Sequence, residues 1–175
     1  ILMSTFKTNS RKIAFNGVIT ALAIILSFLE SLIPPIPFFP PGAKLGISNV
    51  AVMFSAGLTG FSSSLTVALG KSVFVFLTRG VTAGLMSVSG GLLSAIIMNI
   101  LFHKTQSSLI IIGISGAVTH NMGQLLAASV LTSLPVVPYI PFMVIFGACT
   151  GILTSLLLKI CMPPLEKMSK HFNVI

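Results

Sequence analysis

Acidic residues are almost missing from this sequence, and their scarcity limits what the chain can fold into. Glu30 and Glu166 are the only two among 175 residues, and aspartate does not occur. Charged residues make up 7 % of the chain, whereas a soluble domain carries about a quarter. Because so few charges cannot cover a water-facing surface, the sequence predicts an integral membrane protein.

Six apolar segments follow one another with short polar or proline-rich breaks between them. They lie roughly at 13–33, 46–59, 62–78, 85–102, 108–133 and 141–161. A membrane-spanning helix needs about 20 mainly apolar residues. The sequence therefore predicts an all-α, six-transmembrane-helix bundle that forms one integral-membrane domain over 1–175. A basic segment at 1–12 would precede the first helix, and a basic tail at 162–175 would follow the last.

Basic residues give the chain a net charge of +8, but they are sparse and separated by long apolar runs. This distribution argues against a nucleic-acid partner. Seven of them flank the predicted spans on one side: Lys7, Arg11, Lys12, Lys104, Lys159, Lys167 and Lys170. Cytoplasmic flanks of membrane proteins carry such an excess of lysine and arginine. We therefore expect a multi-pass protein of the cell membrane with both termini cytoplasmic and the proline-rich loops 34–45 and 134–140 outside.

Polar residues collect in the outer half of the predicted bundle, where they form a candidate binding site. They are Glu30, Lys44, Asn49, Lys71, Arg79, His120, Asn121 and Gln124. A charge near the bilayer centre costs at least about 2.5–3.5 kcal/mol, so Lys71 should face a partner or a wet cavity. One interpretation is a pocket for an anion, with the three cations as counter-charges and the amides as hydrogen-bonding groups. In the other, Lys71 pairs with Glu30, Arg79 reaches the lipid headgroups, and the amides join helices.

Other chemistries find little support in the sequence. Gly70-Lys71-Ser72 resembles part of a phosphate-binding loop, but Leu65 stands where that motif needs glycine. The histidines, glutamates and cysteines show no metal-ligand spacing, and no Ser-His-acid arrangement stands out. The sequence therefore predicts no catalytic residue, no metal and no cofactor.

Small residues form a stripe along the first predicted span. Ala14, Gly17 and Ala21 are spaced by three and then four positions, so they lie near one helix face. Such a stripe allows another helix to approach closely. Internal packing and contact with another subunit both remain open for this face.

Three motifs resemble those of a known membrane family. Residues 41–49 read PGAKLGISN, similar to a PGxKLGLAN stretch; residues 89–94 read SGGLLS; and residues 116–124 read GAVTHNMGQ, similar to GAxxHNxGQ. Their order and spacing resemble the Gx transporter family, which also carries the name heptaprenyl diphosphate synthase component I. Lys71 stands where that pattern suggests an arginine, so the positive charge is kept.

The resemblance implies an S component of an energy-coupling factor (ECF) transporter. Such a subunit has six membrane helices and binds a vitamin or similar nutrient near the outer face. Its first helix contacts a transmembrane coupling subunit, and two ATPase subunits act in trans. Ala14, Gly17 and Ala21 match that contact in kind, although they are not a strict alanine motif. The expected substrate is a small organic anion, vitamin-related or with an isoprenoid part.

The second family name implies an alternative, a membrane subunit associated with polyprenyl diphosphate or quinone biosynthesis. Prenyl transfer normally uses aspartate-rich clusters to hold Mg²⁺ against a diphosphate. Because this chain has no aspartate, such a subunit would not be an enzyme itself. It would bind or localise a catalytic partner.

Overall fold

The computed structural model describes residues 2–34, 43–133 and 135–171. Within them the chain forms six α-helices and no strand, which confirms the predicted all-α class. The helices are α1 (Leu2–Ser31), α2 (Asn49–Leu58), α3 (Phe61–Arg79), α4 (Val81–Lys104), α5 (Leu109–Thr132) and α6 (Ile140–His171). A short 3₁₀ turn, Val137–Tyr139, leads into α6. Most of the first proline-rich loop (35–42) and residue 134 of the second lie outside the described residues.

Helix α2 differs from the other five, which are long and apolar enough to cross a membrane. Its 10 residues cover about 15 Å, whereas the hydrocarbon core of a bilayer is about 30 Å thick. Most of its residues are buried, including Ala51 to Ala56. It is apolar because other helices enclose it, as expected for a helix that is hydrophobic all round. Six helices are thus confirmed, but within the described residues five of them, and not the predicted six, are candidate membrane spans.

The largest differences from the predicted boundaries are at three helix ends. Helix α1 begins at Leu2, so the basic segment 1–12 is mostly helical. Helix α6 continues through Pro163 and Pro164 to His171 instead of ending at 161; proline removes N–H donors, but its fixed φ is close to that of a helix. Helix α4 begins at Val81, because Gly80 alone joins it to α3. Gly80 has φ of +87°, a conformation that glycine adopts at no steric cost.

Helices α4, α5 and α6 pack closely because glycines lie where their backbones approach. A Cβ atom on Gly123 of α5 would come within 2.7 Å of the Gly90 Cα in α4. In α6, a Cβ on Gly147 would come within 3.1 Å of the Val118 Cα, and Gly151 packs against α5 in the same way. The Gly147–Gly151 pair therefore serves packing inside the bundle, and close approach of helices is what such small residues allow.

The two ends of the bundle have different polar contacts. At one end, which we call the cavity end, the last turn of α1 lies beside the start of α2, since Glu30 accepts hydrogen bonds from the Gly46 and Ile47 N–H groups. At the opposite end, α2 finishes beside the C-terminus of α4, where His103 Nε2 lies 3.2 Å from the Ala56 oxygen. Segment 43–48 and α2 together thus connect the two ends of the bundle, and α2 itself covers only part of that distance.

Candidate functional site

A cavity opens at the cavity end, where α1 and α3 finish and α2 and α4 begin. Its lining residues are Ser27, Glu30, Lys44, Gly46, Ser48, Lys71, Val75, Arg79, Ala83, Ser87, His120 and Gln124. It contains about 310 Å³ of empty space when its open mouth is counted. The enclosed part has room for only about one or two water molecules. A larger ligand therefore has to widen the cavity as it enters.

Lys71 supplies a buried positive charge in the depth of this cavity. Only 2 % of its surface is exposed. Its Nζ donates a 2.8 Å hydrogen bond to Asn49 Oδ1 of α2. Burying a charge is unfavourable unless it is paired and hydrogen-bonded, and the partner here is a neutral amide. The direct Lys71–Glu30 hydrogen bond of the second interpretation is not among the contacts of the described residues.

Glu30 fastens the chain segment 43–48 to the end of α1. Its carboxylate Oε1 accepts hydrogen bonds from the Gly46 N–H and, at 3.3 Å, from the Ile47 N–H. Oε2 lies 3.5 Å from the Ser48 hydroxyl. These groups immediately precede α2, and a carboxylate is favourable near the positive end of a helix dipole. Gly46 adopts φ of +86° here, and a Cβ would come within 2.9 Å of the His120 ring.

Gln124 fastens the same segment from the opposite side. Its Oε1 accepts the Lys44 N–H at 2.9 Å, and its Nε2 donates to the Lys44 carbonyl oxygen at 3.2 Å. The amide therefore forms a two-point contact with the backbone of one residue, 80 positions earlier in the chain. The role of Gln124 seen here is to position Lys44 at the cavity.

Lys44 and Arg79 place two further positive charges at the cavity mouth, where both are partly exposed. The Lys44 Nζ donates to the Glu30 backbone oxygen at 3.1 Å. Partial burial lowers the pKa of Lys44, and the nearby positive charge of Arg79 lowers this pKa further, while Glu30 opposes the change. The mouth of the cavity is therefore electropositive.

His120 and Asn49 bring unsatisfied polar atoms to the same region. His120 is 3 % exposed; its Nδ1 lies against the Gly90 backbone but makes no well-aligned hydrogen bond with the described residues. The Nδ2 donor of Asn49 likewise has no partner among them. Buried polar groups are nearly always hydrogen-bonded. Both atoms are enclosed by protein, since Asn49 is not among the lining residues of the cavity and the His120 Nδ1 faces the Gly90 backbone.

The structure brings most of the predicted site residues together. Six of the eight line the cavity: Glu30, Lys44, Lys71, Arg79, His120 and Gln124. Asn49 lies behind Lys71 as its hydrogen-bond partner. Asn121 is placed elsewhere, since it is fully buried and its Nδ2 donates to the Met143 oxygen of α6. Its contact joins two helices, as the alternative interpretation expected of the amides.

Sequence reasoning missed several lining residues. Ser27 lies one turn before Glu30, and Val75 lies one turn from both Lys71 and Arg79, so helical spacing would have found these two. Gly46 and Ser48 follow Lys44 in the chain, within the motif already noted. Ser87 and Ala83 line the cavity from α4, and no polar pattern in that helix marks them.

The small residues of α1 lie on an uncovered face. Ala14, Gly17 and Ala21 are all exposed. A Cβ added to Gly17 would meet nothing within 4 Å among the described residues. The stripe is therefore not used for packing against the described helices of this chain, unlike the Gly147–Gly151 pair of α6.

Comparison with known proteins agrees with the family that the three motifs indicated. No curated protein and no solved structure matches the chain. The family model of heptaprenyl diphosphate synthase component I matches residues 19–161, which include the cavity and all six helices in whole or in part. The chain therefore belongs to the heptaprenyl diphosphate synthase component I family.

Proposed function

We propose that this chain is the substrate-binding S component of an ECF-type uptake transporter and binds a small organic anion at the cavity. The observation that carries the proposal is the buried Lys71, which lines an open cavity while its direct hydrogen-bond partner is a neutral amide. An anion at this point would form a charge-assisted hydrogen bond in a region of low dielectric, where such bonds are strong.

The cavity end would face outward across the cell membrane, with both termini in the cytoplasm. This orientation follows from the basic residues near the termini and in the α4–α5 turn. A solute would enter between the mouth cations Lys44 and Arg79. Because the enclosed volume is small, entry would require segment 43–48 to move away from Glu30 and Gln124.

Energy coupling would come from other subunits. In this proposal the chain is not an enzyme, and a transmembrane coupling subunit with two ATPase subunits releases the solute inside. The exposed stripe Ala14, Gly17 and Ala21 would contact the coupling subunit. Its small side chains let a partner helix approach closely, and all three positions are exposed in the described chain.

Co-purification of variant chains tests this assembly. Gly17→Leu adds bulk to the stripe, and Cys149→Leu adds bulk to an exposed position of α6 as the matched control. We expect the wild type and Cys149→Leu to co-purify with the coupling subunit and both ATPases, and Gly17→Leu to lose them while its thermal stability is unchanged. Purification of the wild-type chain without these subunits from cells that contain them would contradict the proposal.

The family name favours a second candidate, a non-catalytic membrane component of a prenyl diphosphate synthase. The chain has no aspartate for holding Mg²⁺ against a diphosphate, so it would localise or bind a catalytic partner. In this case the chain would co-purify with a soluble prenyl synthase, and the synthase would change its product release or product length on binding. The same purification distinguishes the two candidates by the partner that is recovered.

A further inference from the structure

We propose that the ligand of this cavity carries two separated negative charges, one bound at Lys71 in the depth and the other at Lys44 and Arg79 at the mouth. This inference rests on the proposed function as a solute-binding subunit. It names the charge and shape class of the solute, which that function leaves open.

The charge balance of the cavity comes directly from the sequence. Three cationic side chains line it, whereas Glu30 is its only carboxylate. The other acidic residue of the chain, Glu166, lies in the last turns of α6. That part of α6 is far from the cavity, since Ser155 already contacts Leu109 at the start of α5. The cavity therefore holds two positive charges more than negative ones, and no other residue of this sequence can balance them.

The excess charge is divided between the depth of the cavity and its mouth. Lys71 and Arg79 lie on one face of α3, eight residues and about 12 Å apart along its axis. Lys44 lies at the mouth of the cavity, close enough to Arg79 for their charges to interact, and Gln124 holds its backbone there. Glu30 attracts all three cations, but its carboxylate is engaged by Gly46 and Ile47. Its hydrogen bonds with segment 43–48 place Glu30 on the side of Lys44. Glu30 therefore offsets one of the two charges at the mouth, which leaves one excess charge there and one, Lys71, in the depth.

N–H donors without a partner favour a ligand group rich in oxygen atoms in the depth of the cavity, beside Lys71. The Asn49 Nδ2 donor has no partner among the described residues, and Lys71 has further N–H groups besides the one given to Asn49. The Lys71 ammonium, which lines the cavity, can therefore hold a carboxylate or similar group. A single compact dianion would balance the charge either in the depth or at the mouth and leave the other unbalanced, so the geometry favours two anionic groups joined by a neutral spacer.

Calorimetric titration of the purified protein, freed of retained ligand, tests this inference. The probes are succinate, glutarate and adipate, each compared with its own monoamide, and inorganic phosphate as a compact anion. We expect at least one diacid to bind about tenfold or more tightly than its monoamide, because a charge-assisted hydrogen bond is lost in the amide. Phosphate should bind more weakly than that diacid.

Substitutions in the depth and at the mouth supply the second measurement. Lys71→Met and Lys44→Met should each lower the affinity for the diacid to the affinity that the wild type has for the monoamide. Lys104 is an exposed cation at the opposite end, so Lys104→Met should leave the affinity for the diacid unchanged. Lys44 is partly exposed at the mouth, so its variant remains informative if Lys71→Met does not fold.

Several results would overturn the inference. They are equal affinity of diacids and monoamides, tightest binding of phosphate, no binding of any diacid, or a retained native ligand with fewer than two acidic groups. If a solute is still bound or retained, the proposed transport function stands and only the charge assignment fails. An empty protein that binds none of the probes and recovers no transporter subunits would contradict the proposed function itself.

Discussion

Replacing Gln124 with methionine would test how segment 43–48 is held over the cavity. Methionine has nearly the same length and shape, but it can replace neither of the two hydrogen bonds between Gln124 and the Lys44 backbone. A typical hydrogen bond contributes about 0.5–1.5 kcal/mol, and polar contacts between membrane helices average about 0.6 kcal/mol. The two bonds together thus stabilise the closed segment by about 1–3 kcal/mol.

Hydrogen–deuterium exchange of the protein in nanodiscs measures this opening directly. A loss of about 1–3 kcal/mol corresponds to roughly 5–150-fold faster exchange, and we expect it in peptides that cover residues 43–48. Gln106→Met, at an exposed position of the opposite end, is the matched control and should leave that exchange unchanged. Unaltered exchange of 43–48 in Gln124→Met, with the protein folded, would refute the assignment of Gln124 as the residue that holds this segment.

Three further predictions concern the stability of the site. Glu30→Gln should lower the free energy of unfolding by about 1.5–3 kcal/mol, the usual contribution of hydrogen bonds to a charged group, as measured by denaturant titration in detergent; an unchanged midpoint would contradict the role given to this carboxylate. Gly123→Ala should lower the free energy of unfolding by about 1–3 kcal/mol, because the added Cβ overpacks against the Gly90 backbone. Gly17→Ala adds a Cβ in open space, so its melting temperature should be close to that of the wild type. Equal effects of the two substitutions would be evidence against the close crossing of α4 and α5. The pKa of Lys44 is lower in the folded protein than in the unfolded chain, so the free energy of unfolding should increase as the pH rises toward 10.5, the ordinary lysine pKa. Melting curves of Lys44→Met should lack this increase. The same pH profile in Lys44→Met and the wild type would show that Lys44 does not contribute.

Much of the architecture could be predicted because it depends on local composition. The scarcity of charge indicates a membrane setting, and long apolar runs mark α3, α4 and α5 to within a few residues. The extent of α2 could not be predicted in this way. Its apolar residues have the same pattern whether lipid or protein surrounds them, and only the packed bundle shows that α2 is short and enclosed.

The sequence predicted which residues form the candidate site better than it predicted what each of them does there. The cost of burying a charge predicted that Lys71 faces a partner or a wet cavity, and in the structure it lines the cavity and contacts Asn49. The four-residue spacing put His120 and Gln124 on one face, and both line the cavity. No sequence period relates Gln124 to Lys44, 80 positions away, so their contact required the structure. Asn121 neighbours His120 in the chain, but its side chain reaches α6 instead of the cavity, since adjacent helical positions point in different directions.

Native mass spectrometry of the gently solubilised protein tests the central claim, that this cavity binds an anionic solute, most directly. We expect one small anion per chain, with retention that falls in Lys71→Met and persists in the Lys104→Met control. An empty protein that instead co-purifies with a soluble prenyl synthase, and whose mass spectrum is the same in both variants, would contradict the solute-binding account and favour the membrane component of a synthase.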